Sequence, residues 1–174
     1  MSRTWDLKLV IHPDELLRDK SEKITDINDE IKELAQAMIE TMHRSRGIGL
    51  AGVQVGHLKR LFVTHASGDK PRVFINPSII GTSVEQADYE EGCLSIPGVY
   101  ADVTRPEAVQ IQAWNERGRP FTATFDGLVA RVVQHEYDHL NGTLFLDYLS
   151  DTVMDRVMAD YDPLVDPATV SRKR

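Results

Sequence analysis

Residues 134–140 read QHEYDHL, which sets two histidines four apart with a glutamate directly after the first. On a helix, His135 and His139 lie one turn apart, roughly 40° from each other around the axis, so both imidazoles can reach one cation. Glu136, beside them, is placed to handle the protons of water held there. Both histidines continue a face begun by Leu128 and Val132, which turns them inward. A single histidine on a helix is usually satisfied by a polar neighbour, but two inward ones with a carboxylate are costly to bury without a common partner. The helix that carries them is expected from about Asp126 to Asn141, with Gly142 placed to end it.

Working outward from that helix, strands precede it. EAVQIQAW (107–114) alternates Val109, Ile111 and Ala113 against Gln110 and Gln112, and NERGRP (115–120) reads as a hairpin turn into PFTATF (120–125). Leu61–His65 and Val73–Ile75 read as short strands, and IIGTSVEQADYE (79–90) holds another. A first helix precedes them all: Ile31, Leu34, Ala35, Met38, Ile39 and Met42 recur at helical spacing, Asp26 or Asn28 can cap the start, and Gly47 ends it. A weaker helix over Asp151–Asp160 closes the chain. Most strands are joined by turns too short for crossover helices. The expected class is therefore α+β, with mainly antiparallel sheets around a central metal-binding helix, an N-terminal helix and a C-terminal one.

The 174 residues fit one domain over 1–174, in which 151–174 forms a peripheral helix and flexible tail. An apolar share of 41% and a charged share of 27% are those of a soluble globular protein. The formal net charge of −7 argues against a nucleic-acid surface, and the closing SRKR is too short to reverse that. No apolar run approaches the ~20 residues of a membrane span, and MSRTWDLKLVIHPDE lacks the apolar core of a secretory signal. One cysteine cannot form an internal disulfide, so the fold is built for a reducing compartment or is indifferent to redox state, and the cytoplasm is the default.

A cation on His135 and His139 needs a third ligand. The pattern of the zinc proteases continues as far as Gly142 and then fails, because Phe145 stands where their last histidine should be. Downstream no histidine, cysteine or glutamate remains, and aspartates such as Asp147, Asp151 and Asp155 keep an Asp-ligated protease as a minority reading. Upstream lie His12, His43, His57, His65 and Cys93. Cys93 sits in EGCLSIPG, between Gly92 and a Pro97–Gly98 turn, and spacing alone leaves it balanced between a ligand and a small buried hydrophobe.

Gly47, Gly49 and Gly52 spell the G-x-G-x-x-G of dinucleotide-binding folds, but a helix precedes them and too few residues follow for the required second one. GIGLAGVQ (47–54) is better suited to a backbone that approaches a substrate, with Gln54 able to donate to an oxyanion.

Together, GIGLAGVQ (47–54), EGCLS (91–95) and QHEYDH (134–139) resemble the three signature motifs of the peptide deformylases, in the family's order and approximate spacing, within a likeness running from about Leu7 to Tyr148. The resemblance implies that Cys93, His135 and His139 bind one divalent metal ion, Fe(II) in the native protein, with Zn, Ni or Co able to occupy the site in preparations. It implies removal of the formyl group from the formyl-methionine of nascent polypeptides, with release of formate. Hydroxide held at the metal would attack the formyl carbon, Glu136 would serve as general acid/base, and Gln54 with the backbone N–H of Leu94 would stabilise the oxyanion. The expected partners are N-formyl-methionyl peptides emerging from the ribosome, with no nucleic acid, no membrane and a monomeric state. Substrate contacts are expected from Ile48, Gly49, Gly98, Tyr100, Leu128 and Val132. Two positions depart from the family's commonest pattern. Gly52 replaces an alanine, a change expected to be harmless or slightly loosening, and Arg131 replaces an aliphatic residue and is expected to snorkel over the pocket rim. An endopeptidase and a metal-stabilised binding protein without turnover are the rival readings.

Overall fold

A computed structural model describes residues 4–170, so the closing SRKR lies outside the described residues. The first helix, α1 (Asp29–Arg44), buries Ile31, Leu34, Ala35, Met38 and Met42 along one stripe. Asn28 caps it, its side chain accepting the Ile31 N–H at 3.1 Å. The helix end differs from expectation. The left-handed residue is Arg46 (φ 60), and the Gly47 N–H closes back onto the Met42 carbonyl at 2.9 Å, so the stop does not require glycine at 47. Close packing does: a Cβ there would stand 2.5 Å from Leu94 Cδ1.

Among the described residues seven strands follow in chain order: β1 (Gly49–Ala51), β2 (Leu61–Thr64), β3 (Arg72–Thr82), β4 (Gln86–Cys93), β5 (Ile96–Pro106), β6 (Ala108–Trp114) and β7 (Pro120–Asp126). Five of them form one antiparallel sheet in the order β1-β2-β3-β6-β7, and β4 with β5 forms a separate antiparallel pair. The first surprise is β3, a single strand where Val73–Ile75 and a later segment read as two. Its register breaks between Ile75 and Ser78, where Asn76 takes φ 48 and its amide bonds both the N–H and the carbonyl of Ile24. An Asn-Pro pair that looks like a strand end is here a bulge. The second is β5, absent from the sequence reading. The hairpin turn falls at Leu94–Ser95 rather than at Pro97–Gly98, and Gly98 (φ 80) sits inside the strand. Val99, Ala101, Val103 and Arg105 alternate inward beyond it.

β7 leads directly into α2 (Gly127–His139), which packs against β1, β2, β6 and β7. Gly142 does act as a stop after it: it takes φ 73, and a Cβ there would lie 2.3 Å from the Arg18 carbonyl. α3 (Asp151–Met158) is capped by Ser150, and a four-residue α4 (Pro167–Val170), unforeseen in the sequence, ends the described chain. Three apolar clusters hold these elements. One joins α1 to β1, β2 and β3; a second packs α2 on Phe62, Phe74 and Ile111; the third sets β5 against Leu144–Leu146 and α3. Each fully buried large side chain contributes roughly 1.5–3 kcal/mol. The fold is α+β, with mainly antiparallel sheets around the central α2.

Candidate active site

Two elements deliver the candidate ligating atoms. Cys93 closes β4 at the hairpin, while His135 and His139 project from one face of α2. Their donor atoms all lie within 4.8 Å of one another, the one such Cys/His/carboxylate group of three or more among the described residues. Cys93 Sγ stands 3.4 Å from His139 Nε2. A tetrahedron with metal–sulfur and metal–nitrogen bonds of about 2.3 and 2.0–2.1 Å has an S···N edge of about 3.5 Å, so Cys93 and His139 are spaced to share a cation of that size. The other histidines lie elsewhere: His12 beside Tyr161, His57 beside Trp5, and His43 hydrogen-bonded to His65.

The ligands are oriented from behind. His135 Nδ1 bonds Glu91 Oε1 at 2.9 Å, which leaves Nε2 to face the site. Glu91 is itself 2% exposed, and it accepts from Arg105 Nε at 2.6 Å, Arg105 Nη2 at 3.0 Å and Arg131 Nη1 at 2.9 Å. Burial alone would raise its pKa, but His135 and Arg105 outweigh that and hold the carboxyl well below the usual range. Arg105 continues to Asp138 at 2.8 Å, and the Tyr148 hydroxyl donates to the same Asp138 oxygen at 2.7 Å. Arg131 does not snorkel outward. It is 5% exposed and donates to Glu91 and to the Val103 and Ala87 carbonyls, because a buried carboxylate on the neighbouring strand offsets its charge. Glu91, Arg105, Asp138 and Tyr148 received no role from the sequence. The glutamate inside EGCLS was the available signal.

Glu136 lies in the cleft with Oε1 3.9 Å from His135 Nε2, and its Oε2 is buried without a hydrogen-bond partner. Burial pushes its pKa up to about 7, so it can exchange a proton near neutrality. Burial also keeps His139 neutral, while Cys93 and Glu91 outweigh burial at His135 and raise it; both rings must be neutral to ligate a cation. His139 Nδ1 is likewise buried and unpartnered. Gln54 is 1% exposed, and its amide orientation is fixed because Oε1 accepts the Ala51 N–H at 2.9 Å. Nε2 therefore points to Ser95 Oγ at 3.1 Å and to Cys93 Sγ at 3.5 Å. Its loop is tight. A Cβ at Gly52 would meet the His57 carbonyl at 2.8 Å and that of Lys59 at 3.0 Å, so the glycine is no neutral replacement for alanine here.

Cys93, His135 and Glu136 open onto a cleft. Of the expected substrate contacts, Ile48, Gly49, Gly98, Tyr100 and Val132 line it, as does Leu94. Leu128 does not; seven residues before His135 it lies about 10 Å back along the helix. Arg131 and Glu91 occupy the cleft wall in its place.

A family model described as "Polypeptide deformylase" matches residues 6–154. Among curated proteins, the chain is 47% identical over 156 residues to a peptide deformylase of Borreliella burgdorferi, covering 89% of this chain and 94% of that one. It is 50% identical over 141 residues to peptide deformylase 1 of Clostridium perfringens, covering 80% and 95%. Among solved structures, a peptide deformylase of Synechococcus elongatus in complex with actinonin superposes with a TM-score of 0.85 at 41% identity, over 88% of this chain and 86% of that one. One from Legionella pneumophila gives 0.84 at 37%, over 88% and 91%.

Proposed function

The chain belongs to the peptide deformylase family, metal-dependent hydrolases that remove the N-formyl group from nascent peptides, and on that premise we propose a role for each residue around the cleft. Cys93, His135 and His139 hold one divalent cation; one thiolate with two imidazoles suits iron, zinc, nickel and cobalt alike, and Fe(II) as the native ion rests on the family resemblance. When bound, the cation supplies a Lewis acid for the formyl oxygen and lowers the pKa of water. Glu136 takes a proton from the attacking water at its unpartnered Oε2 and later hands it to the departing amine.

Gln54 and the Leu94 N–H donate to the oxygen that becomes negative at the former formyl carbon. An amide NH₂ carries two hydrogens. Ser95 takes one of Gln54's, and the other, engaged only in the long contact to sulfur, is left to donate to the substrate oxygen. The peptide backbone lies extended between the β1 side, Gly47–Gly49, and the β5 side, Gly98–Tyr100. β1 is the outer strand of its sheet, and β5 pairs only with β4, so both present an open edge. Methionine sits against Ile48, Tyr100 and Val132.

The enzyme acts on peptides leaving the ribosome, in the cytoplasm, as one domain and as a monomer. In support of a monomer, the large apolar side chains exposed among the described residues come from several separate stretches of the sequence.

The observation that carries the assignment is the unpartnered Glu136 carboxylate oxygen beside three convergent donors. Glu136→Ala is expected to retain its metal and lose formate release from formyl-Met-Ala-Ser by at least ~100-fold. Unchanged release would remove Glu136 from the mechanism, and cleavage of internal bonds in unformylated peptides would point to an endopeptidase.

A further inference from the structure

The chain does not stop where the family match ends, at residue 154. α3 packs onto β5 through Met154, Val157 and Met158, and the Tyr161 hydroxyl donates to the His12 carbonyl at 2.6 Å. The chain then comes back over β5. Asp166 starts α4 by accepting the Ala168 N–H at 2.9 Å, and the Tyr100 hydroxyl donates to the Val170 carbonyl at 2.7 Å. Pro167, Ala168 and Val170 are half-buried while Thr169 is exposed, so the short helix turns one face to the body. Pro167 and Val170 lie in the lining of the cleft, the only lining residues among the described ones contributed from beyond the family match.

Tyr100 is the link between this segment and the site. Its ring lies over Gly92, where a Cβ would stand 2.6 Å from Tyr100 Cε1, and Gly92 directly precedes the sulfur ligand. The same side chain thus packs against the β4 strand near the metal site at one end and holds α4 at the other. Both residues that α4 adds to the cleft are apolar, and they join Ile96, Val99 and Val132 there.

Building on the deformylase reading, we infer that Pro167 and Val170 complete the apolar wall of the pocket for the substrate's methionine side chain, making the C-terminal segment a specificity element that Tyr100 latches in place. The described residues of the segment, Pro167 to Val170, contribute binding and no chemistry, since none of them is an acid, a base or a metal ligand. Its removal must therefore act on KM, and on the preference for a large apolar first side chain, rather than on kcat.

The test compares the full chain with one ending at Asp166, using formyl-Met-Ala-Ser and formyl-Ala-Ala-Ser. The shortened chain is expected to show a KM for the methionine substrate raised about tenfold, kcat within about twofold, and a smaller KM difference between the two peptides. Tyr100→Phe, which removes only the latching hydroxyl, should shift KM the same way by about two- to threefold. An unchanged KM would overturn the wall, and a lowered one would show that the segment obstructs the cleft instead. Should the shortened chain fail to fold, Val170→Ser decides between the same outcomes. Formate release by the full chain tests the activity itself. Dialysis binding of formyl-Met-Ala-Ser in a Glu136→Ala background, with and without residues 167–174, tests the wall independently of turnover; equal affinities would refute it.

Discussion

A methyl group at position 49 would land 2.6 Å from Glu136 Oε1 and 2.8 Å from Val132 Cγ1. Gly49→Ala must therefore push the carboxylate out of place, and a misplacement of about 1 Å can cost ~100-fold in rate. We expect kcat to fall by that order while the melting temperature hardly moves, which steady-state kinetics and a thermal melt together would show. Glu91→Gln should do the reverse in emphasis. It leaves Arg105 and Arg131 buried without their shared anion, a loss of about 3–5 kcal/mol in denaturant unfolding. It also weakens the hold on His135 Nδ1, because the one remaining carbonyl oxygen must serve the arginines as well, so metal affinity in a competition titration should drop ~10- to 100-fold. These two residues also mark what could be read from the chain. His135, Glu136 and His139 were legible because one helical turn fixes their mutual geometry locally. Cys93 was not, since it meets His139 across 46 residues through a hairpin that no local pattern announces. Arg131 was misread for the same reason: the carboxylate that lets it be buried lies on another strand.

Elements were legible where one periodicity ran uninterrupted. α1 and α2 announced themselves by apolar residues three and four apart, and β6 by strict alternation. β5 hid because Pro97 and Gly98 sit inside it, and the turn residues Leu94 and Ser95 carry no turn signature. Gly142 shows how strong a correct turn reading can be. Gly142→Ala combines a left-handed backbone with a clash against the Arg18 carbonyl, so unfolding free energy should fall by at least about 1–3 kcal/mol. Close by, the turn Phe145–Tyr148 is tied to Arg18 through Asp147, at 2.6 and 2.9 Å. Burial alone would raise the Asp147 pKa, but Arg18 and the Leu144 N–H lower it. The stabilisation this pair gives is thus present above the ordinary carboxylate pKa near 4 and is lost as the pH falls through the lowered one. Both groups are at least one-third exposed, so the loss should be under about 1 kcal/mol, and absent in Arg18→Met.

Across the whole molecule, class and topology followed from turn lengths between strands, while the arrangement of the site followed from contacts between sheets. The sulfur comes from the β4–β5 pair, and both imidazoles come from a helix seated on the five-stranded sheet. A cation held between them binds the native state and not the unfolded one, so chelation should lower the melting temperature, and returning zinc, nickel, cobalt or iron(II) under argon should restore it. The two sheets share no strand, so the cation would also act as a rivet between them. Stripped of it, the hairpin should breathe on its own, its amides trading protons for deuterons well before those of the central helix, and catalytic competence would fade in a protein still largely intact.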